Sequence, residues 1–175
     1  MFWDEVTGDM IEIVTQALLL ALFIYDRATG ILYWRVNRGA RARAGDEAGT
    51  LRADGYRIVK IGYKLYYAHR IIWCMEMGHW PEHEIDHING VKDDNRWSNL
   101  REATRSQNGR NSKTPKTNTS GYKGVSWYKQ KGKYRAKIKH NGKPIHLGYF
   151  DTAEAASRAY QRAARKYHGE FRRTS

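Results

Sequence analysis

The sequence has little cysteine and no long apolar run. Cys74 is the single cysteine among 175 residues. One cysteine excludes an internal disulfide and a thiolate zinc cage, and it fits a reducing compartment. The longest apolar run, residues 17–25, is too short to span a bilayer, and acidic residues precede it where a secretory signal carries basic ones. We therefore expect a buried helix there, with a membrane-surface helix as the weaker alternative, in a cytoplasmic protein that is neither secreted nor membrane-spanning.

Acidic residues are scarce in one part of the chain only. Residues 113–175 hold sixteen Lys or Arg against three Asp or Glu, whereas residues 1–112 hold fifteen of each. The whole formal net charge of +13 therefore belongs to the second part. Such asymmetry indicates a polyanionic partner, and the alternative is a solvated, solubilising face. We favour the polyanion because the charges fall within patterned segments.

A polar segment without an apolar period, residues 113–119, has the composition of a linker. It divides an N-terminal domain, residues 1–112, from a C-terminal domain, residues 120–172. In the first domain, alternation predicts a strand over 30–36 and a hairpin over 55–69 that turns at Gly62–Tyr63.

The segments that follow alternate between helix and strand signals. Residues 69–78 predict a short helix closed by Gly78, and residues 99–111 predict a short strand or turn leading into a helix. The C-terminal domain shows three short alternating segments, with Asn141–Gly142 as a hairpin turn between the last two. A helix is predicted over 151–169, with Asp151 and Glu154 as its capping box.

The stretch "EIDHINGVKDDNRWSNL", residues 84–100, sets an acid beside a histidine in a polar run. Hydrolysis of a phosphodiester needs a cation on the phosphate and a base that deprotonates water. Asp86 can supply an oxygen to a hard ion such as Mg²⁺, and the imidazole of His87 is a suitable base near pH 7. This chemistry predicts metal-assisted cleavage of a nucleic acid.

A longer stretch, "IDHINGVKDDNRWSNLREATRSQN" (85–108), resembles the core of HNH endonucleases of the phage and intron-homing type. In that family the last histidine of the name is often an asparagine. The resemblance implies a ββα-metal fold around one divalent cation, Mg²⁺ or Mn²⁺. It implies Asp86 and Asn108 as metal ligands, His87 as general base, and Asn99 as the residue that orients the histidine and ties the loop together.

Several side chains near this motif also have structural interpretations. Asn95 and Asn99 fit turns, and Asp93 and Asp94 fit solvated loop positions. His69 fits a packing role. Arg70 fits either packing or a contact with phosphate, and we retain it as a DNA-binding candidate.

Three histidines, His79, His83 and His87, are spaced four apart like zinc ligands on a helix. Gly78 and Pro81 break any helix there, and no cysteine completes a ligand set. We therefore expect no structural zinc.

Residues 120–169 resemble the Apetala-type DNA-binding domain of plant ethylene-response factors, through "GYKGV", "KYRAKI" and "LGYFDTAEAASRAY". The resemblance implies a three-stranded antiparallel sheet with one helix, whose open face enters the major groove. Alternation places Ala136 and Ile138 against the helix. The residues expected to face DNA are Trp127, Lys129, Arg135, Lys137 and Lys139, with a core position as the alternative for Trp127.

Together these features predict an α+β protein that is a metal-dependent endonuclease of double-stranded DNA, phage-encoded and of homing type. It would act in the host bacterial cytoplasm without a small-molecule cofactor or a membrane partner. The alternative is a non-catalytic DNA-binding regulator with a decayed nuclease site, which the joint presence of Asp86, His87, Asn99 and Asn108 disfavours. Action on RNA is a third, weaker possibility.

Overall fold

The computed structural model describes residues 2–3, 10–11, 14–40, 42–112, 114 and 117–172. The chain forms two compact units, Met1–Ala103 and Thr104–Ser175. The predicted linker falls partly outside the described residues, and the domain limits drawn from composition stay a prediction. Across the described ranges, no helix combines the length and apolar character that a membrane crossing requires.

The first unit consists of small antiparallel sheets and two helices. Its sheets pair β1 with β2, β3 with β4, β5 with β6 and β7, and β8 with β9. The elements are β1 (Phe2–Trp3), β2 (Met10–Ile11), α1 (Gln16–Leu22), β3 (Phe23–Asp26), β4 (Ile31–Trp34), β5 (Thr50–Leu51), β6 (Arg57–Ile61), β7 (Lys64–Tyr67), α2 (Ala68–Met77), β8 (Glu84–His87) and β9 (Leu100–Ala103).

The apolar run near the N-terminus is shorter as a helix than the sequence predicts. Helix α1 stops at Leu22, and Phe23 turns extended, with φ −128°. Phe23 pairs with Trp34 across β3 and β4, and the two ring centroids lie 4.7 Å apart. Strand pairing and this aromatic contact therefore override the helical pattern. Leu20 and Ile24, expected in a buried helix, are 44% and 45% exposed.

Helix α2 forms the centre of the first core. It ends at Gly78, whose φ of +85° is the left-handed value that glycine adopts at helix ends, as the sequence predicts. Ile71 and Ile72 are fully buried. Ile85 of β8 and Leu100 of β9 belong to the same core. The β8–β9 hairpin is thereby fixed within the unit.

The second unit contains the predicted three-stranded antiparallel sheet with one helix, in strand order β10-β11-β12. Asn141 and Gly142 have φ values of +48° and +78°, which confirms the two-residue turn between the last two strands. The elements are α3 (Arg105–Asn111), β10 (Val125–Tyr128), β11 (Lys133–His140), β12 (Lys143–Phe150) and α4 (Ala153–His168).

The start of α4 differs from the expected capping box. The hydroxyl of Thr152 accepts the hydrogen bond from Ala155 N at 3.1 Å, so Thr152 is the N-cap. Asp151 instead pairs with Lys133, whose Nζ lies 2.9 Å from Oδ1. The prediction of Asp151 as the cap is wrong because the next residue already satisfies the free helix N–H.

Candidate active site and nucleic-acid interface

Strand β8 brings Asp86 and His87 into the interior together. Both are buried, at 4% exposure each, although successive strand residues normally face opposite sides. Their partners across the hairpin are Arg101 and Leu100. The burial of two polar neighbours sets this strand apart from one that only packs a core.

Asp86 has a buried cationic partner. Its Oδ2 accepts hydrogen bonds from Nε and Nη2 of Arg101, at 2.9 and 2.7 Å. The Asp86 side chain is 5% exposed and that of Arg101 is 13% exposed. A carboxylate at such depth needs a countercharge, and the guanidinium supplies it while fixing the orientation of the carboxylate.

His87 is held at one ring nitrogen by an asparagine. Its Nε2 lies 2.9 Å from Oδ1 of Asn95. An amide oxygen only accepts, so Nε2 carries the proton, and the lone pair of the neutral ring is on Nδ1. Burial lowers the pKa of His87, and the bond from Asn95 partly opposes this effect. The neutral form of a base is thereby favoured.

Aromatic rings surround the imidazole of His87. The ring of His69 meets it edge-on, with centroids 5.1 Å apart, and the ring of Tyr56 lies 6.0 Å away. His69 also stacks on Tyr67 at 5.3 Å. Burial, with the nearby His87 and Arg70, lowers the pKa of His69 to about 3. These rings pack around the imidazole of His87 and contribute to its burial.

Asn95 is itself held by the first hairpin of the unit. Tyr25 donates its hydroxyl proton to the carbonyl oxygen of Asn95 at 2.8 Å. Gly30, with φ +80°, approaches so closely that a Cβ there would stand 2.6 Å from the Asn95 carbonyl carbon. The β3–β4 turn therefore sets the position of the residue that holds His87.

Asn99 closes the loop that follows β8. Its side-chain oxygen accepts from Asn89 N at 2.9 Å, and its amide nitrogen donates to the carbonyl oxygen of Asp94 at 2.7 Å. Its carbonyl oxygen accepts from Ile88 N at 2.9 Å. The hydrogen-bond partner of His87 Nε2 is therefore Asn95. The catalytic role of Asn99 stays a prediction.

The two loop aspartates have structural partners. Asp93 accepts two hydrogen bonds from Arg57, each 3.0 Å long. Asp94 binds Arg96, which lowers the pKa of Asp94 to about 2. The expectation of simple solvated carboxylates is therefore wrong, because both join the network that fixes the loop. Arg70 donates to the carbonyl oxygens of His83 and Pro81, both at 3.2 Å, and its DNA contact stays a prediction.

Two contributors to the site were not found from the sequence as parts of it. Asn95 was one of several asparagines in a turn-like run. Arg101 faces Asp86 only because of the strand register. In the sequence, only the alternation of residues in "NLREA" indicates which way the Arg101 side chain faces. That indication points to Asp86 only once the partner strand is known.

Asn108, the second predicted metal ligand, lies on α3 in the second unit. The helix starts with a capping box, in which Thr104 accepts from Gln107 N and Gln107 accepts from Thr104 N. Among the described residues, no group of three or more His, Cys, Asp or Glu converges as a metal site. The metal roles of Asp86 and Asn108 stay predictions.

The register of the C-terminal sheet decides which residues share a face. Val125 and Ala136 are paired and buried against α4. Trp127, two residues after Val125, is paired with Tyr134 and lies on that same side. The expectation that Trp127 shares a face with Arg135 is therefore wrong. Since Trp127 is 50% exposed, the core alternative also fails, and its DNA contact stays a prediction.

Ser126 and Tyr128 take the places beside Arg135. The guanidinium of Arg135 lies 4.9 Å from the centroid of the Tyr128 ring. Lys129 is exposed but belongs to a 3-10 turn after β10. Lys137 and Lys139 are exposed, while Ala136 and Ile138 are buried, as alternation predicts. These lysines stay predictions as DNA contacts.

Comparison with known proteins matches both parts of the chain. Residues 66–110 match the HNH endonuclease family model, and residues 120–170 match the AP2 domain model. Protein 3.8 of Escherichia phage T7 is 38% identical over 112 residues, covering 63% of this chain and 92% of that protein.

A plant protein matches a shorter stretch of the chain. APETALA2-like protein 2 of Oryza sativa subsp. indica is 47% identical over 55 residues, which cover 31% of this chain but only 13% of the plant protein. A solved structure titled "DNA binding and cleavage by the HNH homing endonuclease I-HmuI" covers 63% of this chain and 57% of its own. It matches at 22% identity with a TM-score of 0.37.

Proposed function

Because the chain belongs to the HNH endonucleases and carries a C-terminal AP2 domain, we propose that it is a metal-dependent homing-type enzyme of a phage. It is a DNA endonuclease, and HNH nucleases in general depend on a divalent cation. The observation that carries the proposal is the buried His87, held by Asn95, directly beside the Asp86–Arg101 pair.

His87 acts as the general base. Its Nε2 proton is committed to Asn95, so Nδ1 takes the proton from the attacking water. The lowered pKa keeps the ring neutral at pH 7. Attack of the water on phosphorus would break the P–O3′ bond, and the 3′-oxygen would take a proton from solvent, which leaves a 5′-phosphate and a 3′-hydroxyl.

Asp86 and Asn108 would hold the cation. A carboxylate oxygen and an amide oxygen are hard donors that fit Mg²⁺ or Mn²⁺, and such ions retain several waters when few protein ligands are present. When bound, the ion would neutralise charge on the phosphate and on the leaving oxygen. Arg101 fixes the Asp86 carboxylate through Oδ2.

The catalytic proposal is tested by nicking of supercoiled plasmid with Mg²⁺ or Mn²⁺, with EDTA as the control. His87→Ala should lower the rate by about 10²–10⁴-fold, the usual contribution of a general base. His83→Ala, at an exposed histidine nearby, should cut like wild type. Undiminished nicking by His87→Ala contradicts the proposal. Absence of nicking by wild type that still binds DNA favours the decayed, non-catalytic alternative.

The metal ligands are tested without catalysis. Isothermal titration with Mn²⁺ should show one site in wild type, weakened in both Asp86→Ala and Asn108→Ala. Ser106→Ala, at an exposed position of the same helix α3, is the control and should bind Mn²⁺ normally. Equal Mn²⁺ affinity in Asn108→Ala and wild type would remove Asn108 from the ligand set.

The phage origin in this proposal is supported by the similarity to Protein 3.8 over 92% of its length. The homing type follows from the resemblance of residues 85–108 to HNH endonucleases of the phage and intron-homing type. Sequencing of the ends cut across a phage genome should reveal one or a few sites. Breaks scattered throughout the genome would contradict a homing role.

A further inference from the structure

The second unit contains a basic cleft of about 1150 Å³. It lies beside α3, β11 and the end of α4. Among the described residues that line it, five are Lys or Arg and none is Asp or Glu. The five are Arg105, Arg110, Lys123, Lys137 and Lys139. A concave surface with charge of one sign concentrates polyanions.

The cleft is open because of the strand register. Strand β10 pairs with Lys133–Ala136 only, so the second half of β11 extends beyond the end of β10. Lys137 N still donates to Gly124 O at 2.8 Å, and no residue of β10 pairs with Lys139. That part of the sheet edge lines the cleft.

The side chains of Lys123 and His168 hold the walls of the cleft. The ammonium of Lys123 donates to the carbonyl oxygens of Arg110 and Ser112, at 2.8 and 2.6 Å, and so binds the end of α3. His168 Nε2 lies 2.9 Å from Lys139 O and donates to it. The walls are thus fixed in place before a ligand arrives.

Arg105, Lys137 and Lys139 lie exposed at this cleft. The volume exceeds the range of about 300–1,000 Å³ that is usual for small-molecule sites, which favours part of a polymer as the ligand. A guanidinium and ammonium groups are the side chains that bind phosphate oxygens.

We propose that this cleft binds the phosphodiester backbone of double-stranded DNA. Arg105 of α3 contacts the backbone next to the lysines of β11. The inference rests on the proposed function, since the DNA held here is the DNA that is cut. Helix α3 also carries Asn108, so backbone binding and the proposed metal ligand share one helix.

The test measures binding without cleavage. Fluorescence anisotropy of a labelled duplex in EDTA, across a series of salt concentrations, gives the slope of log K against log salt. Arg105→Ala and Lys139→Ala should each weaken binding and reduce the magnitude of the slope by about 0.9 for each phosphate that the variant no longer neutralises. Arg105→Lys should retain the slope. Arg162→Ala, at an exposed position on α4 outside the cleft, is the matched control and should match wild type.

The outcomes separate this inference from the function. If the wild-type protein does not bind DNA, the proposed function itself is wrong. Binding by wild type with an unchanged slope in Arg105→Ala would overturn the cleft alone. If Arg162→Ala loses as much affinity as Arg105→Ala, the cleft proposal is also overturned, because net charge would then explain the effect. Tighter binding of an RNA duplex than of a DNA duplex would overturn it as well. Thermal unfolding of each variant checks that the fold is intact.

Discussion

Acidification should destabilise the first unit through His69. The folded pKa is about 3, against an ordinary value of 6.5, because the ring is buried beside His87 and Arg70. The unfolded chain therefore binds the proton more tightly, and the free energy of unfolding falls as the pH drops below 6.5 towards 3. Each pKa unit corresponds to about 1.4 kcal/mol, so His69 alone removes about 3 kcal/mol by pH 4.5 and about 5 kcal/mol at lower pH.

His69→Phe isolates this contribution. The Nδ1 atom of His69 has no hydrogen-bond partner among the described residues, so the aromatic replacement should not reduce stability at pH 7.5. Urea unfolding followed by tryptophan fluorescence reports mainly on the first unit, which contains five of the six tryptophans. From pH 7.5 to 4.5, wild type should lose about 3 kcal/mol more than His69→Phe.

The control is His83→Phe at an exposed histidine, which should follow wild type. Parallel loss of stability in wild type and His69→Phe would refute the reasoning, because the buried imidazole would then contribute nothing to acid sensitivity.

Three further substitutions probe other contacts. Gly30→Ala should cost about 2–4 kcal/mol and slow plasmid nicking, because its Cβ would stand 2.6 Å from the Asn95 carbonyl carbon at φ +80°. Gly124→Ala should cost about 2–4 kcal/mol in the second unit, since its Cβ would lie 2.2 Å from the Tyr160 ring at φ +71°. Lys123→Met should lower stability by about 1.5–3 kcal/mol by removing charged hydrogen bonds to α3. Urea unfolding measures all three.

Each glycine has a matched control with a positive φ and open space. Gly45→Ala, at φ +89°, and Gly132→Ala, at φ +59°, have nothing within 4 Å of the new Cβ. Each should cost only the backbone strain of about 1–2 kcal/mol. If Gly30→Ala lost no more stability than Gly45→Ala, close approach to the loop would be irrelevant. If Lys123→Met is as stable as wild type, the hydrogen bonds from Lys123 to the end of α3 do not stabilise the second unit.

Local patterns were sufficient to predict much of the fold. The turn at Gly62–Tyr63, the end of α2 at Gly78 and the three-strand sheet each depend on short-range signals, namely alternation and glycine at a reversal. The choice between helix and strand at Phe23 could not be read this way, because Trp34 decides it from across the hairpin.

The site shows the same division. The Asp86–His87 pair and the family resemblance pointed to β8 from sequence alone. The partners of these residues did not follow, because Arg101 is placed by strand register and Asn95 by Tyr25 and Gly30, far away in the chain. The face occupied by Trp127 likewise depends on the pairing of β10 with β11.

The hydrogen bonds from Lys123 to the end of α3 affect where the C-terminal domain could be exchanged for another DNA-binding domain. Composition suggests a join near residue 113, yet a swap there would discard Lys123 and leave the carbonyls of Arg110 and Ser112 without their ammonium. A replacement reader grafted at that point would have to bring its own cation to the tail of the helix that bears Asn108. A join ahead of Thr104 would keep the helix and Lys123 together, but the replacement would then have to supply Asn108 as well.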